Sequence, residues 1–451
     1  MKRSRCVVVL QALLVCAWVQ SASAQINLTI YQSGPGQVQE QREVNLRPGA
    51  TTLLWRPVAA RILPESLWLG APRGVQLHDF ELRSVPLTPA TLLRAYVGKT
   101  IEVRTRDAAG REQRRTALVL SADGPVLQIN GRVESGPFRH LVFPAVPSPL
   151  GQAPALVMDL RGGHGGRALL DLNYLCGGLT WRADYVARLS ANGKDMDLTG
   201  WAALSNQSGM DYVDARVALV AGQPHRASPG APFLLKGVMV AESVAVSAEA
   251  WQDYQRYVLP RSVTLPDGAT RWVDFFAQAT MPLQREYVVN DTADYANAAA
   301  TDRQALPVAV RLRLPGIGQP LPAGVVRVYG ASHGHEAYLG EDRIAAPLPR
   351  ETPFNIQLGR AFDVTASRVQ TDFKRLGGAP TPTYESAWRI VLRNAQPRPV
   401  KVKVTAQMPG DWEILQESAA HERPAAGTAQ WQVAVKAESE AVLSYRVRTR
   451  Y

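Results

Sequence analysis

Apolar and polar residues alternate in many short segments of this chain. Val400, Val402 and Val404 alternate with lysine and threonine side chains, which is the two-residue period of a strand with one buried face. Residues 443–451 show the same alternation. The 35 glycines and 32 prolines are spread along the sequence, and proline in particular disfavours long helices. The pattern therefore predicts a mainly β protein.

One hairpin is predicted by its turn residues. Residues 184–189 and 196–201 have strand-like patterns, and Asn192 and Gly193 lie between them. Asparagine and glycine both tolerate positive φ, which a type I′ turn requires at its two central positions. We therefore expect a tight β-hairpin with these two residues at its tip.

A single short helix is predicted early in the chain. Thr88 can cap it, Pro89 suits the first helical position, and Gly98 can end it. Several short strand patterns follow, separated by glycine-containing turns. A short helix followed by such strands is typical of a small β-barrel-like module, which we place at residues 86–148.

The other domain boundaries follow from stretches rich in proline, glycine or alanine. We predict a multi-domain β-sandwich architecture in which the β-barrel-like module is inserted and an Ig-like sandwich ends the chain. The predicted segments are a signal peptide at 1–24, an N-terminal β region at 25–85, the module at 86–148, a central β domain at 149–305, a β domain or continuation of the central domain at 306–378, and the C-terminal sandwich at 379–451.

The N-terminus has the three parts of a secretory signal peptide. Basic residues within 2–5 precede an apolar stretch at 6–19, and Ala22–Ser23–Ala24 supplies small residues where a signal peptidase cleaves. The apolar stretch is shorter than the roughly 20 residues that a membrane-spanning helix needs. Val15 stands where a lipobox requires a small residue, which argues against lipid attachment at Cys16. We expect a periplasmic or secreted protein that begins at Gln25 and has no transmembrane helix.

Composition limits the partners and the covalent chemistry of the chain. Cys176 is the one cysteine that follows the leader, so no intramolecular disulfide can form in the mature chain. Lys and Arg number 50 against 39 Asp and Glu, a formal net charge of +11. This excess favours attraction to anionic envelope components. The basic residues are scattered, which argues against nucleic-acid binding.

Three sequence features are candidates for chemistry. The best candidate for a metal site is His333–Gly334–His335–Glu336, which is followed by Glu341 and Asp342. Two histidines two positions apart on a strand point to the same face, but a metal site also needs a third or fourth ligand from another part of the chain. We expect it to be an exposed hairpin tip. The stretch 161–167 is rich in glycine and resembles a phosphate loop, but a strand pattern follows it and phosphate loops open helices. We expect a hairpin connection there.

Cys176 has no neighbouring histidine signature that would lower its thiol pKa, so we expect an inert, partly buried thiol. The glycines and tryptophans of 177–181 and 409–412 fit structural roles in sheets. We accordingly assign no catalytic, cofactor-binding or metal-binding residue and no cofactor.

Several motifs together resemble a known bacterial family. They lie at 174–185, 198–209, 215–222, 257–260, 321–329, 339–342 and 408–414. Their order and spacing resembles the domain-of-unknown-function family that also forms the C-terminal half of mucoidy-inhibitor-type proteins. The resemblance extends from Tyr31–Gln32–Ser33–Gly34 to the tail, without the extra N-terminal domain and coiled coil of those proteins. It implies an exported β-rich protein with a C-terminal sandwich and implies no particular activity.

Three functions remain open from the sequence. The first is a non-catalytic binding or structural protein of the envelope, whose partner is an unknown envelope protein or an anionic polymer. The second is a hydrolase whose site is assembled between domains. The third is an outer-membrane barrel, suggested by Tyr451 at the end of an alternating strand that carries Arg446, Arg448 and Arg450. Irregular strand lengths and frequent prolines argue against the barrel, and no catalytic motif supports the hydrolase, so the first is the preferred interpretation.

Overall fold

The computed structural model describes residues 25–106, 111–136, 138, 140–222, 249–251, 254–298, 302–332, 335–378 and 382–451. Within these ranges the chain forms 32 strands and one α-helix. The prediction of a mainly β protein built from several packed sheets is confirmed. The predicted signal peptide at 1–24 lies outside the described residues.

The strands follow one another along the chain with few long connections among the described residues. Those of the first half are β1 (Gln25–Tyr31), β2 (Gly36–Leu46), β3 (Ala50–Trp55), β4 (Ile62–Gly70), β5 (Val75–Arg83), β6 (Thr100–Arg106), β7 (Glu112–Ser121), β8 (Val126–Ile129), β9 (Arg132–Ser135), β10 (His140–Val142), β11 (Ala155–Gly162), β12 (Gly166–Cys176), β13 (Leu179–Leu189), β14 (Asp195–Asn206) and β15 (Tyr212–Ala221).

Those of the second half are β16 (Glu249–Trp251), β17 (Tyr254–Val258), β18 (Val263–Leu265), β19 (Thr270–Pro282), β20 (Gln284–Asp291), β21 (Gln304–Leu306), β22 (Val308–Leu314), β23 (Gly324–Ser332), β24 (His335–Ile344), β25 (Phe354–Arg360), β26 (Val364–Gly377), β27 (Thr383–Asn394), β28 (Val400–Gln407), β29 (Asp411–Glu417), β30 (Glu422–Ala425), β31 (Thr428–Val435) and β32 (Ser439–Arg450).

The N-terminal sheet combines strands that are far apart in sequence. Its order is β16-β17-β15-β1-β2-β12-β4, and β18 also pairs with β15. β1 runs parallel to β15, with Asn27 opposite Arg216, and antiparallel to β2. A separate three-stranded sheet has the order β3-β11-β5. Buried side chains of both sheets belong to the larger of the two main hydrophobic cores.

The central sheet, in the order β19-β14-β13-β23-β24, covers the same core. Trp181 of β13 is buried there, and its Nε1 donates to the carbonyl oxygen of Val220 at 3.1 Å. The ring of Phe275 meets those of Trp181 and Tyr257 edge-on, with centroids 6.2 and 5.8 Å away. Edge-to-face contacts of this kind add to the burial energy of the aromatic rings.

The predicted helix is present as α1 (Pro89–Ala95). Thr88 caps it, since its Oγ1 accepts from the backbone N–H of Thr91 at 3.1 Å. The strands that follow form a five-stranded sheet in the order β10-β6-β7-β8-β9, with a small core of its own. Among the described residues its two edge strands do not pair, so the module is an open sheet and not a barrel.

A two-layer sandwich forms the last part of the chain. The six-stranded layer, here called the bridging sheet, has the order β25-β22-β20-β28-β31-β30. The five-stranded layer, the C-terminal sheet, has the order β21-β26-β27-β32-β29. The inner face of the bridging sheet reaches two cores: Leu312 and Ile356 belong to the larger one, whereas Tyr287 and Val402 belong to the core of the sandwich.

A buried polar network ties the two layers together. Asp291 at the end of β20 is fully buried, and its carboxylate forms an ion pair with Arg368 of β26. The hydroxyl of Tyr445 donates to Asp291 Oδ2 at 3.3 Å and lies 2.9 Å from the hydroxyl of Tyr295. Arg368 Nε also donates to Oε1 of Gln304 at 3.0 Å. Burial raises the pKa of the Asp291 carboxyl, and the Arg368 guanidinium opposes that rise.

We expect Arg368→Ala to lower the free energy of unfolding by about 3–5 kcal/mol, because it leaves the buried carboxylate of Asp291 without its cation. Unfolding in urea measures the loss. Arg389→Ala removes an exposed arginine from β27 of the same sheet, and we expect a change within about 0.5 kcal/mol. Equal losses for the two variants would show that the ion pair does not hold the layers together.

Candidate functional site

A groove lies on the outer face of the bridging sheet. It has a volume of about 600 Å³, and the loop between β13 and β14 forms one of its walls. A second depression of about 240 Å³ adjoins it, since the two share Glu286, Arg313 and Lys403. We call both together the basic groove. Its cations are Lys194, Arg285, Arg313, Arg398, Lys401 and Lys403, with Arg311 in the second depression.

Strand alternation places most of these cations on one face. In β28, the buried Val400, Val402 and Val404 alternate with the lysines at 401 and 403. In β22, buried Leu312 separates Arg311 from Arg313. Successive side chains of a strand point to opposite faces, so the apolar set enters the cores and the basic set faces solvent.

The cations of the basic groove form no ion pairs with carboxylates of the described residues. Within the described part of the chain, no ion pair involves any of the seven, although Arg398 Nε donates to Gln396 Oε1 at 3.3 Å. The outer face of the central sheet is different, because Arg327 there contacts Asp184 at 3.4 Å and Glu341 at 3.3 Å. Among the described residues, the groove therefore concentrates more positive than negative charge.

Glu286 is the one carboxylate among the described lining residues. It lies opposite Arg311 in the pairing of β20 with β22. Seven like charges around one anion repel one another, and a bound anion relieves that repulsion. Arginine adds a planar fork that binds carboxylate or phosphate groups through two hydrogen bonds. The arrangement is suited to binding anionic groups.

The loop that borders the groove differs from the predicted type I′ turn. The hairpin of β13 and β14 is present, but residues 190–194 connect the strands, and positive φ occurs at Gly193 and not at Asn192. Instead, Asn192 Oδ1 accepts from the Ser190 hydroxyl and from the Lys194 backbone N–H, both at 2.7 Å. The side chain thus shapes a longer loop, which brings Lys194 to the groove.

The candidate metal site is only partly within the described residues. His333 and Gly334 lie outside them, and His335 begins β24 as an exposed residue of the predicted hairpin with β23. Glu341 pairs with Arg327, and Asp342 Oδ2 accepts from the backbone N–H of Gln357 at 2.6 Å. The described residues contain no group of three or more potential metal ligands.

The glycine-rich stretch at 161–167 connects two different sheets, so the expected hairpin connection is wrong. β11 pairs with β3 and β5, whereas β12 pairs with β2 and β4. Gly162 has a φ of 93°, and a Cβ atom there would lie 1.9 Å from the carbonyl oxygen of Gly74. Glycine is needed because the chain turns sharply between the sheets. The expectation that a strand follows, and not a helix, is confirmed.

Cys176 is fully buried at the end of β12. Its Sγ lies 3.8 Å from the hydroxyl of Tyr212, and burial raises the pKa of the thiol to about 11. It is more deeply buried than the sequence suggested. Trp181 and Trp412 are also buried, as expected of core side chains.

Sequence reasoning did not single out the basic groove. The pattern at 400–404 predicts Lys401 and Lys403 only as the polar side of a strand, and it does not connect them with Arg311 and Arg313. The signal for them was present, because residues 308–314 alternate in the same way. The convergence of β22, β28 and the 190–194 loop depends on contacts between distant segments.

A known family covers most of the chain. The family model described as "Domain of unknown function (DUF4139)" matches residues 170–451. This chain belongs to that family. The match confirms the resemblance to a domain-of-unknown-function family, and the DUF4139 region contains the whole basic groove. The Tyr31–Gly34 segment lies outside the matched residues, and the link to mucoidy-inhibitor-type proteins stays a prediction.

No curated protein matches the chain. Among the described residues, no helix has the length and apolar character needed to cross a bilayer.

We expect the thiol of Cys176 to resist alkylation in the folded chain that starts at Gln25. With a pKa of about 11, only about one thiol in a thousand is ionised at pH 8, and the thiolate is the reactive form. Iodoacetamide labelling followed by mass spectrometry measures the rate with and without urea. Rapid labelling of the native protein would contradict both the burial and the raised pKa.

Proposed function

We propose that this protein is exported to the bacterial envelope and binds an anionic polymer there without catalysing a reaction. The observation that carries the proposal is the basic groove, which is lined by seven cations and Glu286. None of the seven cations forms an ion pair with another described residue. Positive potential in a concave surface raises the local concentration of anions and speeds their association. The overall excess of Lys and Arg over Asp and Glu acts in the same direction.

A polymer suits the groove better than a single small anion. The cations come from three neighbouring strands and from the two loops that carry Lys194 and Arg398, so they are spread over an extended surface. Most of them are exposed to water, where each ion pair contributes only about 1 kcal/mol or less. A chain with repeated anionic groups can make several such contacts at once, and their effects accumulate.

The lining favours binding over hydrolysis. Glycoside hydrolysis commonly uses two facing carboxyl groups, whereas the described lining supplies Glu286 and basic or neutral side chains. Those basic side chains are suited to binding the anionic groups of a ligand.

Export rests on the sequence of the first 24 residues. The basic start, the apolar stretch at 6–19 and Ala22–Ser23–Ala24 form the pattern of a cleavable signal peptide. An envelope location would place the basic groove among the anionic polymers of the bacterial surface.

We expect Arg311→Gln/Arg313→Gln to weaken binding of an anionic polymer about tenfold, because two ionic contacts of up to about 1 kcal/mol each are lost and about 1.4 kcal/mol corresponds to a factor of ten. Polygalacturonate and inorganic polyphosphate serve as carboxylate and phosphate probes in titration calorimetry. Wild-type affinity should fall steeply with added salt, and the variant should show a shallower salt dependence because fewer contacts remain.

The matched control is Arg389→Gln/Arg393→Gln, which removes two exposed arginines from β27 in the C-terminal sheet. It changes the net charge equally, so its affinity should stay close to that of the wild type. Equal losses in both variants would indicate a general charge effect and not a site. Failure of the wild type to bind either probe would overturn the proposal.

We expect the full-length precursor, expressed in a bacterium, to yield a product whose N-terminus is Gln25. A large charged residue next to the cleavage position blocks the signal peptidase, so Ala24→Arg should leave the precursor uncleaved. N-terminal sequencing and the molecular mass of the product measure both outcomes. A wild-type product that retains residues 1–24 would contradict the proposed export by this route.

A further inference from the structure

A row of polar side chains crosses the outer face of the N-terminal sheet, away from the basic groove. Strand pairing puts five residues in line across five adjacent strands, β15, β1, β2, β12 and β4: Arg216, Asn27, Gln39, Asn173 and Trp68. Neighbouring strands lie about 4.8 Å apart, so the row is about 19 Å long. Gln41, Asp171 and Gly70 form part of the adjacent row. We call these two rows the amide face.

Hydrogen bonds hold the amide groups of this face in place. Gln39 Nε2 donates to Asp171 Oδ2 at 2.8 Å, and Asn173 Nδ2 donates to Asp171 Oδ1 at 3.1 Å. Asn27 Nδ2 donates to Gln39 Oε1 at 3.5 Å. Each carboxamide offers two donors and an acceptor with two lone pairs, so this ladder leaves capacity for a ligand. The groups are therefore oriented before any ligand binds.

Trp68 adds a flat aromatic surface at one end of the row. It lies on the edge strand β4 and is 60 % exposed. The far edge of its indole ring extends along the strand over Gly70, because a Cβ atom built on Gly70 would lie 3.3 Å from Trp68 Cη2. The same Cβ would lie 3.2 Å from Asp171 Cβ. Glycine at position 70 thus leaves room for the ring beside the carboxylate.

We propose that the amide face binds a neutral carbohydrate chain that runs across the strands, with one sugar ring stacked on Trp68. A pyranose has an apolar C–H face that can cover an aromatic ring, and hydroxyl groups that both donate and accept hydrogen bonds. The half-buried amides of Asn27 and Gln39 supply both kinds of group, and Asp171 accepts from hydroxyls. Asn173 is buried and holds the Asp171 carboxylate in place. Arg216 and Asp171 carry opposite charges, so the face gives no preference for an anionic ligand.

Titration calorimetry at high salt tests the proposal, because salt screens the basic groove and leaves stacking intact. The probes are soluble oligosaccharides of glucose and of N-acetylglucosamine, which distinguish plain hydroxyl recognition from recognition of acetamido groups. We expect the wild type to bind at least one of them and Trp68→Ala to bind it at least tenfold more weakly. Trp272→Ala, which removes a tryptophan 52 % exposed on the central sheet, should bind like the wild type.

Gly70→Ala keeps the tryptophan but displaces its ring, since the added methyl group meets both Trp68 and Asp171. It should also weaken binding, and thermal unfolding checks that each variant remains folded. Absence of binding by the wild type, or equal affinity of Trp68→Ala and the wild type, would overturn the proposal. Binding of polygalacturonate or polyphosphate at the groove is measured separately, so either proposal can fail while the other holds.

Discussion

The bridging sheet has to bury one face against two hydrophobic cores at once. Leu312 and Ile356 extend the larger core, whereas Tyr287 and Val402 lie in the core of the sandwich. Because side chains of a strand alternate, continuous burial of one face leaves every second residue on the other. In β22 and β28 those residues include Arg311, Arg313, Lys401 and Lys403. The basic groove is therefore a consequence of the same alternation that joins the two cores, and burial of the inner face offsets the repulsion among its cations.

The N-terminal sheet also combines strands from distant parts of the chain. The DUF4139 region supplies β15, β17 and most of β12, while β1, β2 and β4 precede the matched residues. The amide face needs both contributions, since Asn27 and Gln39 lie between Arg216 and Asn173. The face is therefore built jointly by the family domain and the N-terminal region. The basic groove, in contrast, lies wholly within the family domain.

Local sequence patterns predicted the strands and the helix that depend mainly on neighbouring residues. The alternation at 400–404 identified β28, and the Thr88 cap with Pro89 identified α1. The sequence did not reveal partners, because the pairing of β1 with β15 joins residues that no local pattern connects. For the same reason, the local pattern at 161–167 predicts a hairpin connection, although its flanking strands enter different sheets. The groove was missed because its cations come from separate strands and from a loop that Asn192 shapes through its side chain.

The two proposed surfaces differ in how solvent conditions affect them. Contacts in the basic groove are ionic and exposed, so each is weak and is screened by salt within a distance of about 8–10 Å under ordinary conditions. Stacking on Trp68 depends on burying apolar area, which salt does not screen. A polymer that carries sugar rings and acidic groups offers ligands for both surfaces. Groove contacts would dominate the affinity for such a polymer at low ionic strength, and the amide face would dominate it at high ionic strength.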